Sequence, residues 1–132
     1  MSIPDPEQFC RQWALAWNSR DLEAVLRHFH EDAVFTSPVA IRVVPASNGV
    51  LRGKEALRAY WAEALRRIPD LHFVVESFRV GVNTLVIHYR NQNGVSVNEV
   101  LIFDGAFVRE GRGTYPAAVE NPAGVVTTSA PR

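Results

Sequence analysis

Most of what would announce a specialised chemistry is missing from these 132 residues. Cys10 is the only cysteine, so no internal disulfide framework exists, and on a predicted helix it reads as a small apolar filler. Fourteen basic residues balance fourteen acidic ones, and no basic run exceeds the Arg66-Arg67 pair. That excludes the electrostatic footprint of a nucleic-acid binder. No apolar run approaches the roughly 18 residues of a membrane span, and no secretory h-region opens the chain. The expectation is a cytoplasmic protein with neither membrane nor nucleic acid among its partners. There is no glycine-rich phosphate loop and no nucleophile elbow. Histidines and carboxylates show no recognised metal spacing. His28 and His30 flank Phe29 and do not share a helical face, so they read as surface or capping residues, and His72 opens a strand. No metal and no cofactor is expected.

What is present is periodicity. Asp5-Pro6-Glu7-Gln8 has the features of a helix start: a capping acid, a proline at the first position and a capping-box glutamine. Phe9, Trp13, Ala16 and Trp17 follow at helical spacing. Asp21 can cap a second, short helix with Leu22, Val25, Leu26 and Phe29 on its buried face. Ala33 to Ser37 reads as a strand stopped by Pro38. The stretch from Val39 to Gly49 is too apolar for a solvated loop and too interrupted for a strand. It reads as a lid, a binding loop or a packed irregular crossover. Gly53-Lys54-Glu55 opens the longest helix, whose stripe is Leu57, Tyr60, Trp61, Ala64, Leu65 and Ile68. Strands then follow one another to Tyr115. The expectation is a single domain over 1–132, with its core in about 6–115 and an irregular tail over 116–132.

The stretch from Thr84 to Phe103 concentrates the chemistry. Asn93-Gly94 is a strong hairpin signal, and a two-residue turn there would set His88 opposite Glu99 and Val86 opposite Leu101. Alternate residues share a face. One face would then carry Val86, His88, Arg90, Val97, Glu99, Leu101 and Phe103, an imidazole, a guanidinium and a carboxylate on an apolar ground. With Trp13, Tyr60 and Trp61 this face would line a small-molecule cavity, with His88 and Glu99 as its acid–base pair. Tyr115 could close the cavity base or pack against a partner. The opposite face, with Leu85, Ile87, Tyr89, Val100 and Ile102, would be a homodimer surface formed sheet to sheet.

Helices first and an antiparallel meander afterwards means α+β, with three N-terminal helices packed in the concave face of a strongly curved, mostly antiparallel sheet. AWNSRDLEAVLRHFHEDAVFTSP, GVLRGKEALRAYWAEAL and the strands ending at Tyr115 resemble the nuclear-transport-factor-2-like superfamily, and within it the SnoaL-like, polyketide cyclase-like branch. Ketosteroid isomerases are similar. Their base carboxylate stands just before the proline that ends the first strand, where this chain has Ser37. Their oxyanion-binding tyrosine corresponds to Trp13, and their neutral buried acid, itself a standard example of such a group, corresponds to Glu99. The aldol cyclases of the branch place a histidine and an acid on adjoining strands, which His88 and Glu99 would match. The resemblance implies a cone-shaped roll, and cofactor-free acid–base chemistry of the isomerase, cyclase or dehydratase type on a small hydrophobic molecule. The alternative is a non-catalytic ligand-binding or dimeric association module, since the superfamily includes both.

Overall fold

The computed structural model describes residues 3–117. Residues 118–132, most of the tail expected to be irregular, lie outside the described residues; Pro116 and Ala117 follow the last strand without regular structure.

Helix α1, Pro6–Asn18, starts as the sequence reads: the Asp5 carboxylate accepts the Glu7 N–H at 3.1 Å, and Phe9, Cys10, Trp13, Ala16 and Trp17 are buried. Asp21 caps α2, Leu22–Leu26, by accepting the Ala24 N–H at 3.1 Å. Between them Arg20 adopts a positive φ of 60°, and its guanidinium donates to the carbonyls of Leu65, Ile68 and Pro69, tying this corner to the end of the long helix. Strand β1 is Phe29–Thr36. A short helix α3, Pro38–Val43, comes next, then a 3-10 turn at Pro45–Ser47 and strand β2, Val50–Arg52. Helix α4 is Lys54–Arg67. Strands β3 (Val74–Gly81), β4 (Thr84–Arg90), β5 (Ser96–Asp104) and β6 (Phe107–Thr114) complete the sheet.

The sheet runs β2-β1-β6-β5-β4-β3, with β1 and β6 parallel and every other pair antiparallel. It is curved and unclosed, an α+β cone with the helices on its inner side. Three helices were expected, and α3 adds a fourth. The segment from Val39 is not a loop because Ser37 caps it, its Oγ accepting the Val39 N–H at 3.2 Å, and Pro38 suits the first helical position. Val39, Ala40 and Val43 then fall on one side and are buried, which explains why the stretch is so apolar.

The hairpin register differs from the two-residue reading. Arg90 pairs with Ser96, the Asn91 N–H donates to the Val95 carbonyl at 3.0 Å, and the Gly94 N–H donates to the Asn91 carbonyl at 2.9 Å. Gly94 has φ 77°, so the loop is three residues, Gln92 to Gly94, with glycine in the left-handed position that ends such a loop. One extra loop residue slides β4 by one place. Ile87, not His88, stands opposite Glu99, and His88 stands opposite Asn98. A slip of one exchanges the faces of a whole strand. Leu85, Ile87 and Tyr89 therefore point inward with Val97, Glu99, Leu101 and Phe103 and are buried. Val86, His88 and Arg90 are on the outside.

A buried carboxyl in an aromatic cavity

Between the inner sheet face and the helices lies a cavity of about 60 Å³. Trp13 and Trp17 of α1, Tyr60, Trp61 and Ala64 of α4, and Val39 of α3 wall it on the helical side. Phe35, Phe73, Tyr89, Glu99, Gly113 and Tyr115 come from the sheet and its flanks, with Ser37, Ile68, Leu71, Asn91 and Gln92 at the joins. The walls are braced ring on ring. Phe73 lies 4.5 Å from Tyr89 and 5.5 Å from Trp13, and Trp61 packs edge-on against Trp17 and Phe35, both at 5.3 Å between centroids. Such contacts hold a cavity open because closing it would break several aromatic pairs at once.

Glu99 is the one buried carboxyl among the described residues, 6 % exposed. It stands opposite Gly113 on β6. A Cβ at Gly113 would lie 3.8 Å from Glu99 Oε1 and 3.3 Å from Ser37 Oγ, so glycine there leaves the space that both groups face. The carboxyl has no hydrogen-bond or ion-pair partner among the described residues, and burial alone pushes its pKa up from 4.5 to about 8. Desolvation penalises the ionised form, and no cation is close enough to offset it. The Tyr60 and Tyr115 side chains line the same cavity as Ser37 and Glu99. Burial raises both phenols, and Tyr89 with them, far above their ordinary range, with the Glu99 charge adding to the effect. They stay protonated at any ordinary pH and can donate. The site thus holds hydroxyl donors beside one acid that titrates near neutrality.

Of the residues expected in the site, Trp13, Ser37, Tyr60, Trp61, Glu99 and Tyr115 line this cavity. Val97, Leu101 and Phe103 face inward as expected but are packed in the core and not on the cavity wall. Val86, Arg90 and His88 are not in it. His88 is outside with its Nδ1 3.0 Å from Asn98 Oδ1 and its Nε2 3.2 Å from Glu76 Oε1, and Arg90 Nε donates to the other Glu76 oxygen at 2.8 Å. The His88–Glu99 pair is therefore lost, for the register reason given above. The apolar outer surface shrinks likewise. Leu85, Ile87 and Tyr89 are inside, which leaves half-buried Val86, Val100 and Ile102 on that face.

Phe73, Gln92 and Gly113 line the cavity without having been singled out in the sequence, and Tyr89 and Asn91 are the cavity residues that the two-residue turn concealed. The signal for them was alternation. Only the three-residue register gathers Leu85, Ile87, Tyr89, Val97, Leu101 and Phe103 on one face and Thr84, His88, Arg90, Ser96 and Asn98 on the other. The remaining histidines have structural places. His28 packs on Phe9 at 4.5 Å, with burial lowering its pKa, His30 Nε2 lies 3.1 Å from the Asp104 carbonyl, and His72 is exposed. Among the described residues no group of histidine, cysteine and carboxylates could hold a metal ion, and no helix is long and apolar enough to cross a membrane.

A curved open sheet closed by helices over one buried acid and a ring of aromatic side chains defines a cone-fold protein with an internal cavity. The chain belongs to the SnoaL-like domain family, whose profile matches residues 10–119. Among solved structures it is 40 % identical to a SnoaL-like protein of unknown function from Burkholderia thailandensis, over 84 % of this chain and 93 % of that one, with a TM-score of 0.79. TerC, co-crystallised with polyporic acid, superposes with a TM-score of 0.70 at 11 % identity, over 84 % of this chain and 91 % of that one. A protein from Catenulispora acidiphila with a ketosteroid isomerase-like fold, in complex with trimethylamine, superposes with a TM-score of 0.67 at 16 % identity, covering 96 % of this chain and all of that one. The last two share the fold alone. No curated protein matches the chain.

Proposed function

We propose that the cone binds a small, largely apolar carbonyl compound and moves a proton within it without a cofactor, as an isomerase, cyclase or dehydratase does. One observation carries this: a carboxyl buried without a partner, its pKa raised to about 8, facing an aromatic cavity beside protonated phenols. An acid that titrates near the working pH can both take and give a proton, which is the condition for general acid–base catalysis. About a tenth of Glu99 is ionised at neutral pH, given a pKa of about 8. That carboxylate takes a proton from the carbon next to the carbonyl. The carbonyl oxygen gains the negative charge and accepts a hydrogen bond from Tyr60 or Tyr115. Glu99 then returns the proton to another carbon, or to the oxygen, and is ionised again. His88, on the far side of the sheet, takes no part.

Proton transfer next to a carbonyl is visible before the natural substrate is identified. In heavy water, a panel of cyclic ketones and enones should exchange α-hydrogen for deuterium, read by proton NMR. The rate should climb about tenfold per pH unit and level off above about 8. Glu99→Gln should slow exchange by about 10²–10⁴-fold. Equal exchange by the two proteins would overturn the catalytic reading and leave the cavity as a binding module.

A further inference from the structure

The loop that sets the hairpin register leaves a second polar point on the cavity wall. Asn91 is 6 % exposed, and its Oδ1 accepts the backbone N–H groups of Asn93 at 2.9 Å and Val95 at 3.1 Å. Those two bonds decide which way round the amide lies, because a flipped amide would set an NH₂ against two N–H donors. Nδ2 is thus left over from the loop. It is buried and has no hydrogen-bond partner among the described residues, and Asn91 lines the cavity. Gln92, the next residue, lines it too and has its own Oε1 buried and unpaired. Holding the loop uses only the Asn91 oxygen. A buried donor left without an acceptor costs stability, so a side chain that keeps one at a cavity wall needs a reason outside the loop.

Position along the sheet supplies one. Glu99 stands opposite Ile87, and Asn91 is four residues further along the same strand line, about 13 Å at ~3.3 Å per residue. Tyr89 comes between them, with the Phe73 ring tilted against it at 4.5 Å and itself stacked on Trp13. The cavity therefore has a polar group towards each end and flat aromatic walls in the middle. We propose that it selects a slender, planar ligand with two polar ends, one oxygen held at Glu99 and a hydrogen-bond acceptor at the other end taken by Asn91 Nδ2. The Glu99 end rests on the function proposed above; the Asn91 end stands on the loop geometry alone.

A matched pair of probes tests the Asn91 end by itself. 4-Cyanophenol and 4-ethynylphenol have the same shape and the same hydroxyl, but only the nitrile accepts a hydrogen bond. Calorimetric titration of the wild-type chain should show the cyano compound binding about fivefold tighter or better, the worth of one hydrogen bond. Asn91→Asp keeps the oxygen that the loop needs and, with its carboxyl ionised by the two N–H groups it accepts, removes the donor, so the preference should vanish in a variant whose cooperative thermal unfolding shows that it remains folded. Glu99→Gln should keep the preference, and this separates the two proposals. Preference retained with no wild-type exchange activity would sink the catalytic reading and uphold this one. Equal binding of both phenols, binding of neither, or a preference that survives Asn91→Asp would overturn the two-ended ligand whatever the exchange assay gives.

Discussion

Glu76 and Glu99 sit on the same sheet, and the sheet gives them opposite circumstances. Glu76 on β3 is on the outer side, with His88 at 3.2 Å, Arg90 at 2.8 Å and more than a third of its side chain in water. Glu99 on β5 is on the inner side, 6 % exposed, among aromatic rings. On the outer side the Arg90 cation pairs with the Glu76 carboxylate because nothing prevents both from being solvated while they pair. On the inner side a partner cation would itself have to be desolvated, and none is there. The carboxyl that is left alone is the one able to hold or release a proton near neutral pH. Chemistry at this sheet is decided by the side of the pleat on which a residue falls, more than by which residue types lie close in sequence.

The largest effect should separate the two acids directly. In the deuterium-exchange assay Glu99→Gln should cost about 10²–10⁴-fold, whereas Glu76→Gln should stay within about twofold, as surface changes do. If both lose activity alike, the faces are not functionally distinct and the comparison breaks.

The next effect is on stability and depends on pH. Burial raises the folded-state pKa of Glu99 from 4.5 to about 8, so between those values the folded chain holds a proton that the unfolded chain has released. Stability from this group is complete below the lower value and is lost as pH rises through the upper one. The slope is about 1.4 kcal/mol per pH unit, of order 5 kcal/mol across the window. Chemical denaturation of wild type and Glu99→Gln over this range isolates the group, because every other titration is common to both. The wild-type curve should fall towards higher pH relative to the variant. Parallel curves would mean that Glu99 is solvated and that its inner position carries no electrostatic consequence.

That inner position was half legible in the sequence. The helices, their caps and the inward set on β5 followed from apolar spacing and from Asp5, Asp21 and Pro6, which act locally. Glu99, Trp13, Ser37, Tyr60, Trp61 and Tyr115 were placed in the cavity because their own strand or helix fixes their direction. β4 faces the opposite way from the two-residue expectation. Asn93-Gly94 favours a two-residue turn locally, but Asn91 accepts two N–H bonds into a three-residue loop, and burial of Leu85, Ile87 and Tyr89 outweighs the local preference. The Val39 stretch was obscured for a related reason: Ser37 looks like the end of a strand and is also the cap of a helix. In both places one residue has two roles, and a local pattern reveals only one of them.

A smaller effect tests how tightly the inner face is packed. A Cβ on Gly111 of β6 would stand 2.7 Å from the Phe35 ring and 3.3 Å from Leu101, inside the aromatic wall. Phe35 is packed edge-on against Trp61, so its ring can give way only by breaking that contact or by entering the cavity. Gly111→Ala should cost about 1–3 kcal/mol in denaturant unfolding, the usual penalty for overpacking. No loss would show that the wall gives way, and a cavity with soft walls would not keep Glu99 dry.

The smallest expected effect carries the sharpest comparison. His88 was the natural partner for Glu99 under the shorter turn, and the two differ by a single step of register. On the outer face it bridges Glu76 and Asn98 with Ser96 Oγ at 3.4 Å, a network open to solvent and screened by salt. Exposed ion pairs of this kind contribute about 0–1 kcal/mol, so His88→Ala should shift unfolding by no more than that. Deuterium exchange should stay within about twofold of wild type, since nothing the side chain touches lines the cavity. Exchange lost to the extent seen with Glu99→Gln, in a variant that remains folded, would require His88 to act on the cavity through the sheet. The outer network would then be part of the site, and the division between the two faces would no longer explain the chemistry.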